Sequence, residues 1–228
     1  MIKAVLFDFI GTTVKEAHPE VINNCFEKAF TDNNVPVDIS LLKKERGKDK
    51  KVIIENVLQS LQLPLSLVQD IYASFKGNVE INIHEFYEND GASVIFSYLR
   101  EKNIKVCIGT GLERTVFSKI FNHLKWDSSY FDYIGIAGET GRSRPHPDMI
   151  FDMIDKLGIP DKNAILKVGD TLADIREGKN AKVRTAVILS GTQPRDILLE
   201  AKPDFVVTSL SGIKEIVEEK QPAIRAKL

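Results

Sequence analysis

Short runs of apolar and β-branched residues punctuate the chain at 4–9, 105–109, 133–137, 164–169, 184–189 and 205–207, and each closes on or beside Gly, Asp or Thr. Runs of this length with such endings predict fully buried strands. Helix-length segments separate them. Strands alternating with helices predict an α/β fold, a doubly wound parallel sheet covered by helices on both faces. The alternation breaks once, between the first and second runs, where residues 15–87 read as helix throughout. Helical spacing of apolar positions recurs there over 19–30, 41–46, 49–61 and 66–78, interrupted by Asn33-Asn34, Gly47 and Pro64. We therefore expect an inserted helical cap subdomain over 15–87 and a Rossmann-like core formed by 1–14 and 88–228. The polar end, Gln221 to Leu228, is expected to fray.

Composition narrows the functional classes. With 43% hydrophobic and 28% charged residues, the 228-residue chain has ordinary globular usage and enough length for one core plus an insertion. The 32 acidic residues nearly balance 31 Lys plus Arg, so charge gives no reason to expect nucleic acid or a membrane surface as partner. Cys25 and Cys107 stand far apart without metal-ligand spacing, which argues against a disulfide framework or a zinc site and for a reducing, cytoplasmic compartment. No export signal or membrane-length apolar run is evident. A monomer or homodimer acting on a small molecule is the expectation.

Ligands of open parallel sheets collect beyond the carboxyl ends of the strands. The residues there form a pattern: Asp8-Phe9-Ile10-Gly11-Thr12-Thr13 after the first run, Thr110-Gly111 after the second, and Gly169-Asp170-Thr171 with Asp174 one turn on. Arg142-Ser143-Arg144-Pro145 lies between the third and fourth runs. Taken singly, Asp8, Asp170, Asp174 and Thr110 would equally suit turns and helix caps. Jointly they suggest a site with hard oxygen ligands fit for Mg2+. Gly11 would let backbone N–H groups face an anion.

In order, these segments resemble the four motifs of the haloacid dehalogenase superfamily: DxxGT, a Thr or Ser, a Lys or Arg before Pro, and GDTxxD. The resemblance implies that Asp8 is a nucleophile toward a phosphoryl group, and that Asp8, Asp170 and the Ile10 carbonyl bind Mg2+. Asp174 would ligate directly or through water. It further implies that Thr110 donates to a phosphoryl oxygen and that Arg144 stabilises transition-state charge, with Arg142 close enough to compete. Gly11, Thr12 and Gly111 would contact the substrate.

Phosphatases of that superfamily read DxDGT, the second Asp acting as acid and base; here Ile10 occupies that place. General acid–base help of this kind is worth about 10^2 to 10^4 in rate, so ordinary phosphate monoesters are poor candidates. Phosphonoacetaldehyde hydrolases read DxAGTT, closer to DFIGTT here. The segment Val168-Gly169-Asp170-Thr171 to Asp174, continuing through Glu177-Gly178 to Asn180-Ala181, also resembles their VGDTxxDxxEGxNA. That branch places a lysine three residues after a cap glycine, as with Gly47 and Lys50. Lys50 would then form a Schiff base with an aldehyde, or merely contact the substrate together with Arg46. Crowding by Lys43, Lys44, Arg46, Lys48 and Lys51 is expected to lower its pKa. Two positions depart from the branch: Ile53, where a His is common, and Arg46 in place of Met. His18, His84, His123 and His146 are too scattered to nominate. The expected substrate is a small phosphorylated or phosphonate metabolite. The alternatives are a phosphatase with restricted substrates, of phosphoglycolate or acyl phosphate type, and a weakly active metal-binding pseudoenzyme.

Overall fold

The computed structural model describes residues 1–18 and 20–218. In chain order its elements are β1 (Ala4–Asp8), β2 (Val14–Glu16), α1 (Val21–Asp32), α2 (Ile39–Lys44), α3 (Lys50–Ser60), α4 (Val68–Ile81), β3 (Phe86–Glu88), α5 (Ala92–Glu101) and β4 (Lys105–Thr110). Then follow α6 (Arg114–His123), β5 (Tyr133–Ile136), α7 (Asp148–Leu157), β6 (Ile165–Gly169), α8 (Leu172–Ala181), β7 (Arg184–Ile188), α9 (Arg195–Glu200), β8 (Phe205–Val207) and α10 (Ile213–Val217). Short 3-10 turns fill several connections.

The principal sheet has the order β5-β4-β1-β6-β7-β8, and every pairing in it is parallel. Side chains of β1 alternate between its two faces, as the two-residue period requires. Val5 and Phe7 pack into a cluster with Phe96, Leu99 and Ile120, whereas Ala4 and Leu6 pack with Met149, Ile150 and Met153 of α7. Helices thus cover both sides, as the apolar runs predict. Each fully buried side chain of Phe7's size contributes roughly 1.5–3 kcal/mol relative to exposure. The register sets Asp8 level with Gly109 and Phe7 level with Val168. Asp8, Thr110 and Asp170 therefore leave the sheet at one edge, where the strand order reverses around β1.

The expectation that 15–87 is helical throughout needs correction. β2 and β3 pair antiparallel at the two ends of that stretch. Three-residue strands are too short to display a period, which is why the sequence hides them. Between them α1 to α4 pack on one another around Phe26, stacked on Phe75 with ring centroids 4.1 Å apart. Asp38 and Asp49 cap α2 and α3, each accepting a backbone N–H two residues on at 2.8 Å. The first expected helix begins one residue beyond Glu20; its predicted start at Pro19, like the predicted fraying of Gln221 to Leu228, lies outside the described residues.

Candidate active site

Asp8 is the last residue of β1 and is buried. The chain then turns sharply: Thr13 Oγ1 donates to the Asp8 carbonyl at 2.9 Å, and Gly11 takes φ +95°. A Cβ on Gly11 would stand 2.3 Å from Asp170 Oδ2, so only glycine lets the turn pass this close to the second carboxylate. Asp170 is held from two sides. Thr12 Oγ1 donates to its Oδ1 at 2.9 Å, and the Thr192 N–H donates to its Oδ2 at 2.8 Å, joined there by the Thr192 hydroxyl. The Thr12 side chain, expected on the substrate, is thus committed to Asp170. Asp174 lies in the first turn of α8, where it forms a capping box with Thr171. One oxygen from each of Asp8, Asp170 and Asp174 lies within 4.8 Å of the others.

Two buried cations answer these acids. Arg144 Nη1 pairs with Asp8 Oδ1 and lies 3.1 Å from Asp174 Oδ1, while its Nε lies 3.1 Å from Glu177 Oε2. Lys167 Nζ, from the middle of β6, approaches Asp174 Oδ1 at 2.8 Å and Glu177 Oε2 at 3.5 Å. Arg142 is exposed and bound to Asp148 at 3.0 Å, so the loop delivers Arg144 to the site and not its neighbour. Four buried carboxylates, Asp8, Asp170, Asp174 and Glu177, face the two cations Arg144 and Lys167. The carboxylates of this cluster outnumber the cations among them, a balance that suits a bound cation.

The titration behaviour carries the same message. Burial, reinforced by Asp8 and Asp174, pushes Asp170 up to about 7. Burial and then Asp174 also raise Asp8 against the pull of Arg144 and Lys167. For Asp174 burial opposes ionisation, yet Lys167 and Arg144 outweigh it and hold the carboxyl below its ordinary value. Burial raises Glu177. Crowded carboxylates at strand ends form an oxygen-rich donor set suited to a hard cation such as Mg2+.

The helical segment meets this cluster through one seam. The Lys50 N–H donates to the Gly111 carbonyl at 3.2 Å. Gly47, at φ +88°, approaches so closely that a Cβ would fall 2.2 Å from Thr171 Oγ1. Thr110 Oγ1 accepts from the Leu112 N–H at 3.1 Å, leaving its own proton to donate. Arg46 Nη2 binds Glu16 at 2.8 Å, with both side chains nearly buried.

Lys50, the first residue of α3, is only 9% exposed, and Lys48 O lies 3.5 Å from its Nζ. Its pKa is lowered to about 8, first by burial; Arg46 and Arg144 reinforce this, while Asp8 works against it. The expected cause was lysine crowding. The structure corrects it: Lys43 pairs with Glu20, Lys48 pairs with Glu45, and Lys51 lies over the Tyr72 ring. Of the five expected groups only Arg46 acts on Lys50 appreciably.

Asp8, Ile10, Thr110, Gly111, Arg144, Gly47, Lys50 and Arg46 line one narrow pocket, with about 30 Å³ open to the centres of water-sized groups. None of the four histidines lines it.

A model of haloacid dehalogenase-like hydrolases matches residues 5–188. The chain belongs to this family. Among curated relatives of this haloacid dehalogenase-like hydrolase, the phosphonoacetaldehyde hydrolase of Bacillus cereus is 28% identical, over 96% of this chain and 88% of that protein. That of Bacteroides fragilis is 24% identical, over 99% and 89%. Two solved structures share the hydrolase's fold. A phosphonoacetaldehyde hydrolase-like protein from Oleispira antarctica superimposes with TM-score 0.85 at 18% identity, covering 96% of this chain and 92% of that one. A predicted phosphoglycolate phosphatase from Haemophilus somnus does so with TM-score 0.80 at 18% identity, covering 95% and 98%.

Several residues of this hydrolase's site escaped the motif reading. Lys167 sits in an apolar run, and a charge inside a buried parallel strand is the signal that was there to use. Glu177 occurs in the quoted motif without a role, yet it shares both buried cations with Asp174. Thr192 follows β7 as Thr110 ends β4, so a search extended to every strand end would have found it. Asn23 and Leu112 also line the pocket, and no pattern in the sequence distinguishes them from core.

Proposed function

We propose that the chain is a Mg2+-dependent phosphonatase-type hydrolase that cleaves a carbonyl-bearing phosphonate through an aspartyl phosphate on Asp8. The observation that supports this most is Lys50: a buried amine, easier to deprotonate than an ordinary lysine, lining the same pocket as Asp8. A buried lysine lining a pocket with no carboxylate bonded to it suits attack on a carbonyl. Asp8, Asp170 and the Ile10 carbonyl would hold Mg2+, with Asp174 ligating directly or through water. A cation held by these residues would supply charge neutralisation for an anionic phosphonate.

Neutral Lys50 adds to the carbonyl carbon, and with uptake of one proton water leaves, giving a protonated imine. An Asp8 carboxylate oxygen then bonds to phosphorus as the C–P bond breaks, and the electron pair of that bond forms the enamine. The enamine takes a proton on carbon. Water hydrolyses the imine, restoring Lys50 and releasing the carbonyl product, and a second water hydrolyses the aspartyl phosphate. Arg144 and Thr110 stabilise the charge on the transferring group. Because the electron pair is received by the protonated imine, no acid is required at Ile10. Helices over residues 15–87 serve as the cap, opening at the seam of Gly47, Lys50 and Gly111 to admit substrate and closing to exclude water. Buried free Cys25 and Cys107 fit a reducing compartment, and no helix among the described residues is long and apolar enough to cross a membrane.

The test is phosphate release from phosphonoacetaldehyde. We expect steady release with Mg2+ and loss of at least about 10^2 of the rate on chelation, consistent with a metal that supplies several kcal/mol of charge stabilisation. Release from acetyl phosphate without release from phosphonoacetaldehyde would replace this reading with the restricted phosphatase.

A further inference from the structure

Beyond the reacting groups, the pocket has a hydrocarbon wall beside polar Asn23, Arg46, Thr171 and Thr192. Ile22 and Phe26 come from α1, Leu42 from α2, Ile53 from α3 and Leu112 from the sheet side. All are almost fully buried. Two of the polar side chains beside that wall are drawn partly away from it, Asn23 Nδ2 donating to Glu20 and Arg46 Nη2 to Glu16. A hydroxyl laid against these apolar side chains would lose water without gaining a partner from them, at a cost of the order of one unmade hydrogen bond. A hydrocarbon group gains by leaving water.

The position of the wall says which part of the substrate meets it. Ile53 follows Lys50 by three residues on α3, so the two share a helix face. Hydrocarbon thus lies beside the amine that would attack the carbonyl.

Resting on the phosphonatase reading above, we infer that the preferred substrates are 2-oxoalkyl phosphonates, ketones whose carbonyl carbon carries an alkyl group where phosphonoacetaldehyde carries hydrogen. Lys50 forms a ketimine with loss of water, C–P cleavage sends its electron pair into the enamine, and protonation with hydrolysis releases a methyl ketone and phosphate.

The experiment compares kcat/KM for phosphonoacetaldehyde and for 2-oxopropyl-, 2-oxobutyl- and 2-oxopentylphosphonate, with Mg2+ throughout. Within the ketone series each added methylene should raise kcat/KM about fourfold until the pocket is filled, the factor that corresponds to one buried methylene. Ile53→Asn should flatten this rise; if that variant does not fold, the wild-type series decides alone. Turnover of phosphonoacetaldehyde with a flat or falling ketone series would overturn the inference and leave the phosphonatase reading standing. Turnover of none of the four would overturn both.

Discussion

Asp8→Asn should abolish phosphate release, lowering kcat by about 10^4 or more, because an amide oxygen cannot replace the carboxylate as the group that bonds to phosphorus. The substitution keeps the side chain's volume and a carbonyl oxygen for Arg144, so the fold persists. A loss of that size with an unchanged circular dichroism spectrum separates chemistry from collapse. Residual activity within tenfold of wild type would remove Asp8 as the nucleophile. Asp8 belongs to a crowded acid cluster in which burial and then Asp174 raise its pKa. An amide there relieves repulsion, so the variant should melt no lower than wild type.

Lys50→Arg is expected to cost about 10^3 in kcat on phosphonoacetaldehyde, since a guanidinium keeps the charge but cannot form an imine at any working pH. Wild-type kcat/KM should carry the signature of the amine. Attack requires the neutral form, and the Lys50 pKa lies at about 8 instead of 10.5, first because the ammonium is buried. The rate should climb roughly tenfold per unit below pH 8 and level above it. At pH 7 roughly a tenth of the amine is neutral, against roughly three parts in ten thousand for an ordinary lysine. Stability follows the same titration with its sign set by linkage: the folded-state value lies below the unfolded one, so this group adds stability as pH rises from about 8 to 10.5. A rate profile that is flat from pH 6 to 9 would count against a nucleophilic Lys50.

What the sequence made legible has a physical basis. Buried parallel strands must be apolar on both faces, so β1, β4 and β6 stand out as runs, and the residues closing them fall at one edge of the sheet. Asp8, Thr110 and Asp170 could be found for that reason. Arg144 was marked by its place before Pro145, and three dimensions removed its competitor: Arg144 pairs with Asp8 and Arg142 with Asp148. Pairwise electrostatics were equally hidden. The lysines around Lys50 looked like a source of repulsion, but Glu20 and Glu45 answer two of them, and burial does most of the work. Arg46 looked free for substrate until Glu16, thirty residues earlier, was seen to bind it. β2 and β3 were invisible because a strand of three residues carries no periodicity.

The most direct measurement is reduction with borohydride during turnover of phosphonoacetaldehyde, followed by a mass map of the chain. A phosphonatase mechanism predicts phosphate release together with a reduced two-carbon adduct on Lys50, absent without substrate and absent in Lys50→Arg. Phosphate release with Lys50 unmodified, or with the adduct on a different lysine, would contradict it.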